Sequence, residues 1–173
     1  MIDSKKRYLN QDAADVALKN SINEATIRKA REYRLKRTRQ VLRDNDIAAV
    51  LLYDPCNIRY ATDTSNMQLW TMHNLSRYCL IFADGPVILF DYHNCAHMHD
   101  EKRLPNGQLT VDEIRPAIVW AYFAAGERAP EQAMRWGADI ASLMQQYGGG
   151  NKRLAIDICE QLGIAQLHKH GIE

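Results

Sequence analysis

Apolar runs of strand length and amphipathic helical stripes succeed one another along this chain, separated by short polar turns. From Ile47 to Tyr53 the sequence is continuously apolar, as in a buried strand, and Asp54-Pro55 then stops it as a turn starter does. A second short strand is expected over Asn57 to Thr62, and the polar segment Asp63 to Asn66 then forms a loop with Met67, Leu69 and Trp70 at its tip. Arg77 to Ala83 and Pro86 to Asp91 are apolar runs joined through Asp84-Gly85, which reads as a hairpin turn because glycine accepts a positive φ. Part of the sheet is therefore antiparallel. Further strands are expected over Leu109 to Ile114, closed by Pro116, and over Arg153 to Ile158.

Helical patterns frame these strands. Glu24 to about Asn45 contains no Gly or Pro and has Ser21 or Asn23 available as N-cap. Its stripe is thin: Ile27, Ala30, Val41 and Leu42 share a face that Arg34 and Thr38 interrupt, so much of its surface should stay wet. Residues 94 to 108 are polar and read as a short helix or loop. Ala129 to Tyr147 puts Ala133, Trp136, Ile140, Leu143 and Met144 on one face, with Pro130 suited to the first turn. Gly148-Gly149-Gly150 ends that helix, and Glu160 to His170 forms the last one. The element order indicates an α/β fold with a mixed, partly antiparallel sheet flanked by helices. Residues 1–23 show no lasting periodicity and read as an arm, mobile or borrowed by a neighbour, ahead of one domain over residues 24–173.

Composition adds exclusions more than assignments. With 46% hydrophobic and 25% charged residues, the chain is an ordinary globular sequence. Its longest apolar run in the second half, Pro116 to Gly126, is too short to span a bilayer and the first residues are polar, so a cytoplasmic protein is expected. Cys56, Cys79, Cys95 and Cys159 lack C-x-x-C spacing and read as reduced thiols. The net charge of +1 hides an excess of 12 Lys or Arg over 6 Asp or Glu within residues 1–45. Such a segment neutralises phosphates in nucleic-acid-binding modules, but interspersed acids and scarce aromatics favour a solvated helix face.

Asp91, His93, Cys95, His97, His99 and Asp100 bring metal-ligand types close together. On a helix, His93 and His97 would stand four apart, a spacing that chelates Zn²⁺, yet no second pair elsewhere completes a tetrahedron, and exposed polar residues are normal past a strand end. His168 and His170 fit a helix C-terminus. Gly148 to Lys152 is not a phosphate loop, because a helix precedes it and a strand follows. No G-x-S-x-G elbow occurs, and hydrolysis by this chain alone has no visible machinery.

Asp54-Pro55-Cys56-Asn57-Ile58-Arg59-Tyr60-Ala61-Thr62 resembles the P-x-N-I-R-Y-x-T segment in the N-terminal domain of the creatinase, prolidase and aminopeptidase P metallopeptidase family. Asp63 to Trp70, with His73-Asn74, is most similar to the branch of creatinase-like enzymes and dimethylsulfoniopropionate lyases. Phe90-Asp91-Tyr92, Glu113 to Pro116, Trp120 to Phe123 and Gly148 to Asp157 follow in the matching order, so the resemblance covers roughly residues 25 to 173.

The resemblance implies a creatinase/prolidase-type N-terminal domain that is itself non-catalytic and serves dimerisation and the shaping of a partner subunit's substrate pocket. Trp70, with His73 as second choice, would wall that pocket; the competing expectation is that Trp70 packs on its own sheet. Arg59 is expected to anchor loop backbone through its several donors. The parent enzyme would be a metallohydrolase of the creatinase or Xaa-Pro peptidase type, with a dimethylsulfoniopropionate lyase as the alternative. Its two divalent metal ions belong to a catalytic domain expected to lie outside this chain, which itself has no cofactor, metal ligand or catalytic residue assigned. Expected partners are a second copy and the parent's own C-terminal catalytic domain, with neither nucleic acid nor membrane. Two rival classes remain distinct: a stand-alone nucleic-acid-binding module using Arg28 to Arg43, and an autonomous metalloenzyme built on Asp91 to His99.

Overall fold

The structure, a computed structural model, describes residues 22–93, 95–99 and 101–173. Most of the expected N-terminal arm, and Asp100 of the candidate metal cluster, lie outside the described residues. Among the described residues five strands form one mixed sheet in the order β4-β3-β2-β1-β5. They are β1 (Ala49–Leu52), β2 (Tyr78–Phe82), β3 (Val87–Asp91), β4 (Glu113–Pro116) and β5 (Leu154–Ile156). β2 runs antiparallel to both β1 and β3, while β4 joins β3 and β5 joins β1 in parallel. Every residue of β2 and β3 is buried, which is why both read as unbroken apolar runs rather than alternating ones.

Helices cover both faces. On one, α5 (Ala129–Tyr147) and α6 (Gln161–Lys169) bring Trp136, Ile140, Leu143 and Leu167 against Leu51, Tyr78, Leu80 and Phe90. The face expected of α5 is the buried one in full. On the other, α1 (Glu24–Asp44) and α2 (Pro55–Thr62) bring Leu35, Ile58 and Ala61 against Leu52, Cys79, Ile81 and Leu89. Two short helices, α3 (Gln68–His73) and α4 (Tyr122–Ala125), lie outside this three-layer core.

Several expectations are corrected. Asn57 to Thr62 is not a strand but the body of α2. Asp54 caps it, accepting from the amides of Cys56 (2.7 Å) and Asn57 (3.1 Å). Pro55 occupies its first turn, and Asp63 ends it in the left-handed region at φ 58°. Asp157 at the end of β5 fixes its entry, accepting from Tyr53 N (2.8 Å), Asp54 N (3.0 Å) and Asn57 Nδ2 (3.1 Å).

The Asp84-Gly85 turn forms, but Gly85 is not among the residues with positive φ. Space demands the glycine instead: a Cβ there would stand 2.9 Å from the Cβ of Phe82. The expected strand from Leu109 is shorter, with regular pairing only from Glu113, because the Asp112 carboxylate turns back to accept from Val87 N at 2.8 Å. The inner face of α1 is carried by Arg31, Leu35 and Leu42, whereas Val41 is exposed. Asn23 is its N-cap, accepting from Ala25 N at 2.8 Å.

Candidate functional site

After α2 the chain has only five residues, Asp63 to Met67, in which to reverse before α3, and Met67 adopts the left-handed region at φ 42°. Such a conformation costs a non-glycine residue about 1 kcal/mol or more, so the surroundings must hold it. They do so through buried polar groups. Thr62 Oγ1 and Thr64 Oγ1 share a hydrogen bond of 2.7 Å, and Arg77 donates to Thr64 Oγ1 at 2.9 Å. Asn66 Nδ2 donates to Asp91 Oδ1 at 2.9 Å. The other carboxylate oxygen of Asp91 meets Arg77 Nε and His99 Nε2, each at 2.9 Å. Tyr92 closes the ring, its amide donating to Asp91 at 2.7 Å and its hydroxyl 2.7 Å from Ser76 Oγ.

Asp91 is thus a hub for the segments on either side of α3, with Asn66 just before the helix and Arg77 just after it. The carboxylate is fully buried. Burial alone would raise its pKa, but the hydrogen bond to His99 and the Arg77 guanidinium outweigh it and hold the group far below the usual carboxylate range. The same arrangement removes Asp91 and His99 from the candidate metal cluster. Among the described residues no three His, Cys, Asp or Glu side chains come together as a metal site would need. The described residues therefore do not fit a metal centre.

Helix α3 stands on this base with only Thr71 buried. Met67, Leu69, Trp70 and Met72 are exposed around it, Trp70 at 48%. The expected loop tip is therefore a helix, and Trp70 does not pack on the sheet. Its ring meets Phe123 of α4 edge to face, centroids 6.0 Å apart at 76°. Phe123 and its neighbour Tyr122 are also exposed. His73, exposed on the last turn of α3, lies three residues from Trp70 and so on a neighbouring part of the helix surface. Arg59 does not anchor backbone: its side chain is exposed and makes no hydrogen bond among the described residues. The contribution of Phe123 was readable only as the aromatic run ending Trp120-Ala121-Tyr122-Phe123, with no sign of which side chains turn outward.

The four cysteines are free thiols, and burial pushes Cys79 up to about 12 and Cys159 up to about 11. No helix among the described residues is long and apolar enough to cross a membrane.

Comparison with known proteins places this geometry in a family. Dimethylsulfoniopropionate lyase DddP of Roseovarius nubinhibens is 37% identical over 147 residues, covering 85% of this chain and 32% of that protein. The protein of the same name from Roseobacter denitrificans is 33% identical over 143 residues, covering 83% and 31%. The chain thus spans about a third of the length of these relatives. Among solved structures, a proline dipeptidase from Streptococcus agalactiae superposes with TM-score 0.51 at 13% identity, covering 80% of this chain and 86% of that one. An Xaa-Pro aminopeptidase from Streptococcus pyogenes gives TM-score 0.50 at 13% identity, covering 84% and 87%, and both likenesses concern the fold alone. With a model of the Creatinase/Prolidase N-terminal domain matching residues 34–165, this chain belongs to that family.

Proposed function

We propose that this chain is the non-catalytic N-terminal domain of a two-domain enzyme, walling part of a partner subunit's substrate pocket with α3 while a catalytic domain supplies the reaction. The observation that carries this reading is the half-exposed Trp70 set against Phe123 on a helix whose flanks are pinned by buried charge. An aromatic held rigid but left uncovered is suited to a ligand or a second subunit. Dimethylsulfoniopropionate bears a sulfonium cation, for which an exposed indole face is a suitable partner. The 37% identity to a lyase favours the lyase parent over the peptidase parent. The two metal ions belong to the catalytic domain, and no step is derived through them. Within this domain Trp70 and His73 form the wall, and pairing of two copies brings it to the pocket.

The test is a chimera of the Roseovarius nubinhibens lyase in which this chain replaces the matching third. We expect the chimera to cleave dimethylsulfoniopropionate. Trp70→Ala should raise KM about tenfold with little change in kcat, as loss of a cation–aromatic contact of about 1–2 kcal/mol requires. An unchanged KM in a variant of unaltered thermal midpoint would remove Trp70 from the pocket.

A further inference from the structure

A separate groove of about 1150 Å³ runs between the first half of α1 and the outer side of α2. Its deepest cation is already committed: buried Arg31 donates to Asp63 (2.8 Å), Glu24 (3.0 Å) and the carbonyl of Arg103 (3.2 Å). Arg34, Arg59 and Lys102 also line the groove, and none has an acidic partner among the described residues. The Arg34 guanidinium lies 5.6 Å over the ring of Tyr60, which is 42% exposed, and Ile27 adds apolar surface. Farther along α1 two of the cations are used internally. Arg39 donates to the carbonyls of Phe82 and Gly85, and Arg43 pairs with Asp84. The groove therefore combines unneutralised guanidinium and ammonium groups with aromatic and aliphatic surface.

We propose that this groove binds an acidic peptide segment, its carboxylates meeting Arg34, Arg59 and Lys102 and an apolar side chain lying against Ile27 and Tyr60. Guanidinium forks match carboxylates in geometry as well as charge. A nucleic-acid backbone fits less well. Glu24, Asp63 and Glu101 line the same groove, and a continuous row of phosphates would meet them, whereas a peptide places carboxylates only where the cations stand.

The probe is a dye-labelled peptide of alternating Glu and Leu, about twelve residues long so that it can span the roughly three turns of α1 that line the groove, read by fluorescence anisotropy against the same peptide with Gln for Glu. We expect the Glu peptide alone to bind, with affinity falling as salt rises. Replacing Arg34, Arg59 and Lys102 together by Gln should weaken binding about tenfold or more, an expectation from the loss of several charge-assisted contacts. Replacing Arg37, Arg135 and Lys169 by Gln removes the same charge outside the groove and should leave affinity unchanged. Circular dichroism and the thermal midpoint establish that each variant is folded, and Arg59→Gln alone, at an exposed position, serves if the triple variant is not. No binding of the Glu peptide, equal losses in the two triple variants, or tighter binding of an oligothymidylate of equal charge would each overturn the proposal.

Discussion

Asp91 shows how one side chain can set the condition of a whole surface. Its depressed pKa means that the folded state holds the proton less tightly than the unfolded chain does. The stability it contributes is complete above about pH 5 and is lost as pH falls through about 4 and below, toward its folded pKa. Asp91→Asn leaves the Arg77 guanidinium buried without its counter-charge, and a loss of about 3–5 kcal/mol is expected in urea unfolding at pH 7. The gap between variant and parent should narrow at pH 3, where the unfolded parent takes up a proton that the folded carboxylate still excludes. The pairing was legible in principle. The observed register sets Tyr78 opposite Phe90, which places Arg77 opposite Asp91 at the open end of the hairpin, where opposite charges favour each other. Grouping Asp91 by sequence proximity with His93, Cys95 and His97 obscured it.

At the level of elements, what was legible followed the strength of the periodic signal. Helix α5 and the β2–β3 hairpin were readable because long apolar patterns leave one solution each. Helix α2 was not, because eight residues carry barely two turns of pattern, and Ile58, Tyr60 and Thr62 alternate as they would in a strand. Its true signature was the cap, Asp54 followed by Pro55, which argues for a helix start as well as for a turn. Helix α1 misled in another way, since its buried face includes Arg31, an arginine whose inward position depends on Asp63 from a distant loop. Packing between helices was equally silent in sequence. Gly137 of α5 faces Gln166 of α6 so closely that a Cβ would stand 2.7 Å from the Gln166 Cβ. Gly137→Ala should therefore lower stability by about 1–3 kcal/mol despite its gain in helix propensity, measurable as a lower midpoint in thermal unfolding.

For the molecule as a whole, the three-layer plan was legible, but the parallel attachment of β4 and β5 was not, because nothing local distinguishes parallel from antiparallel pairing of short edge strands. The outer surface is uneven. Met67, Leu69, Trp70, Met72, Tyr122 and Phe123 are all exposed on α3, α4 and the residue ahead of α3. Apolar surface gathered in this way promotes association. Light scattering should report a mass above that of a monomer as concentration rises, and replacing Trp70 and Phe123 together by Ser should return the monomer.

The three tryptophans are divided by the same architecture. Trp120 and Trp136 are 1% and 0% exposed, whereas Trp70 is 48% exposed. A collisional quencher such as acrylamide reaches one indole and is barred from the other two. The protein thus carries an unlabelled optical reporter on α3, with a built-in reference in its interior: whatever settles on that face shields the red-shifted emission and leaves the blue component unchanged.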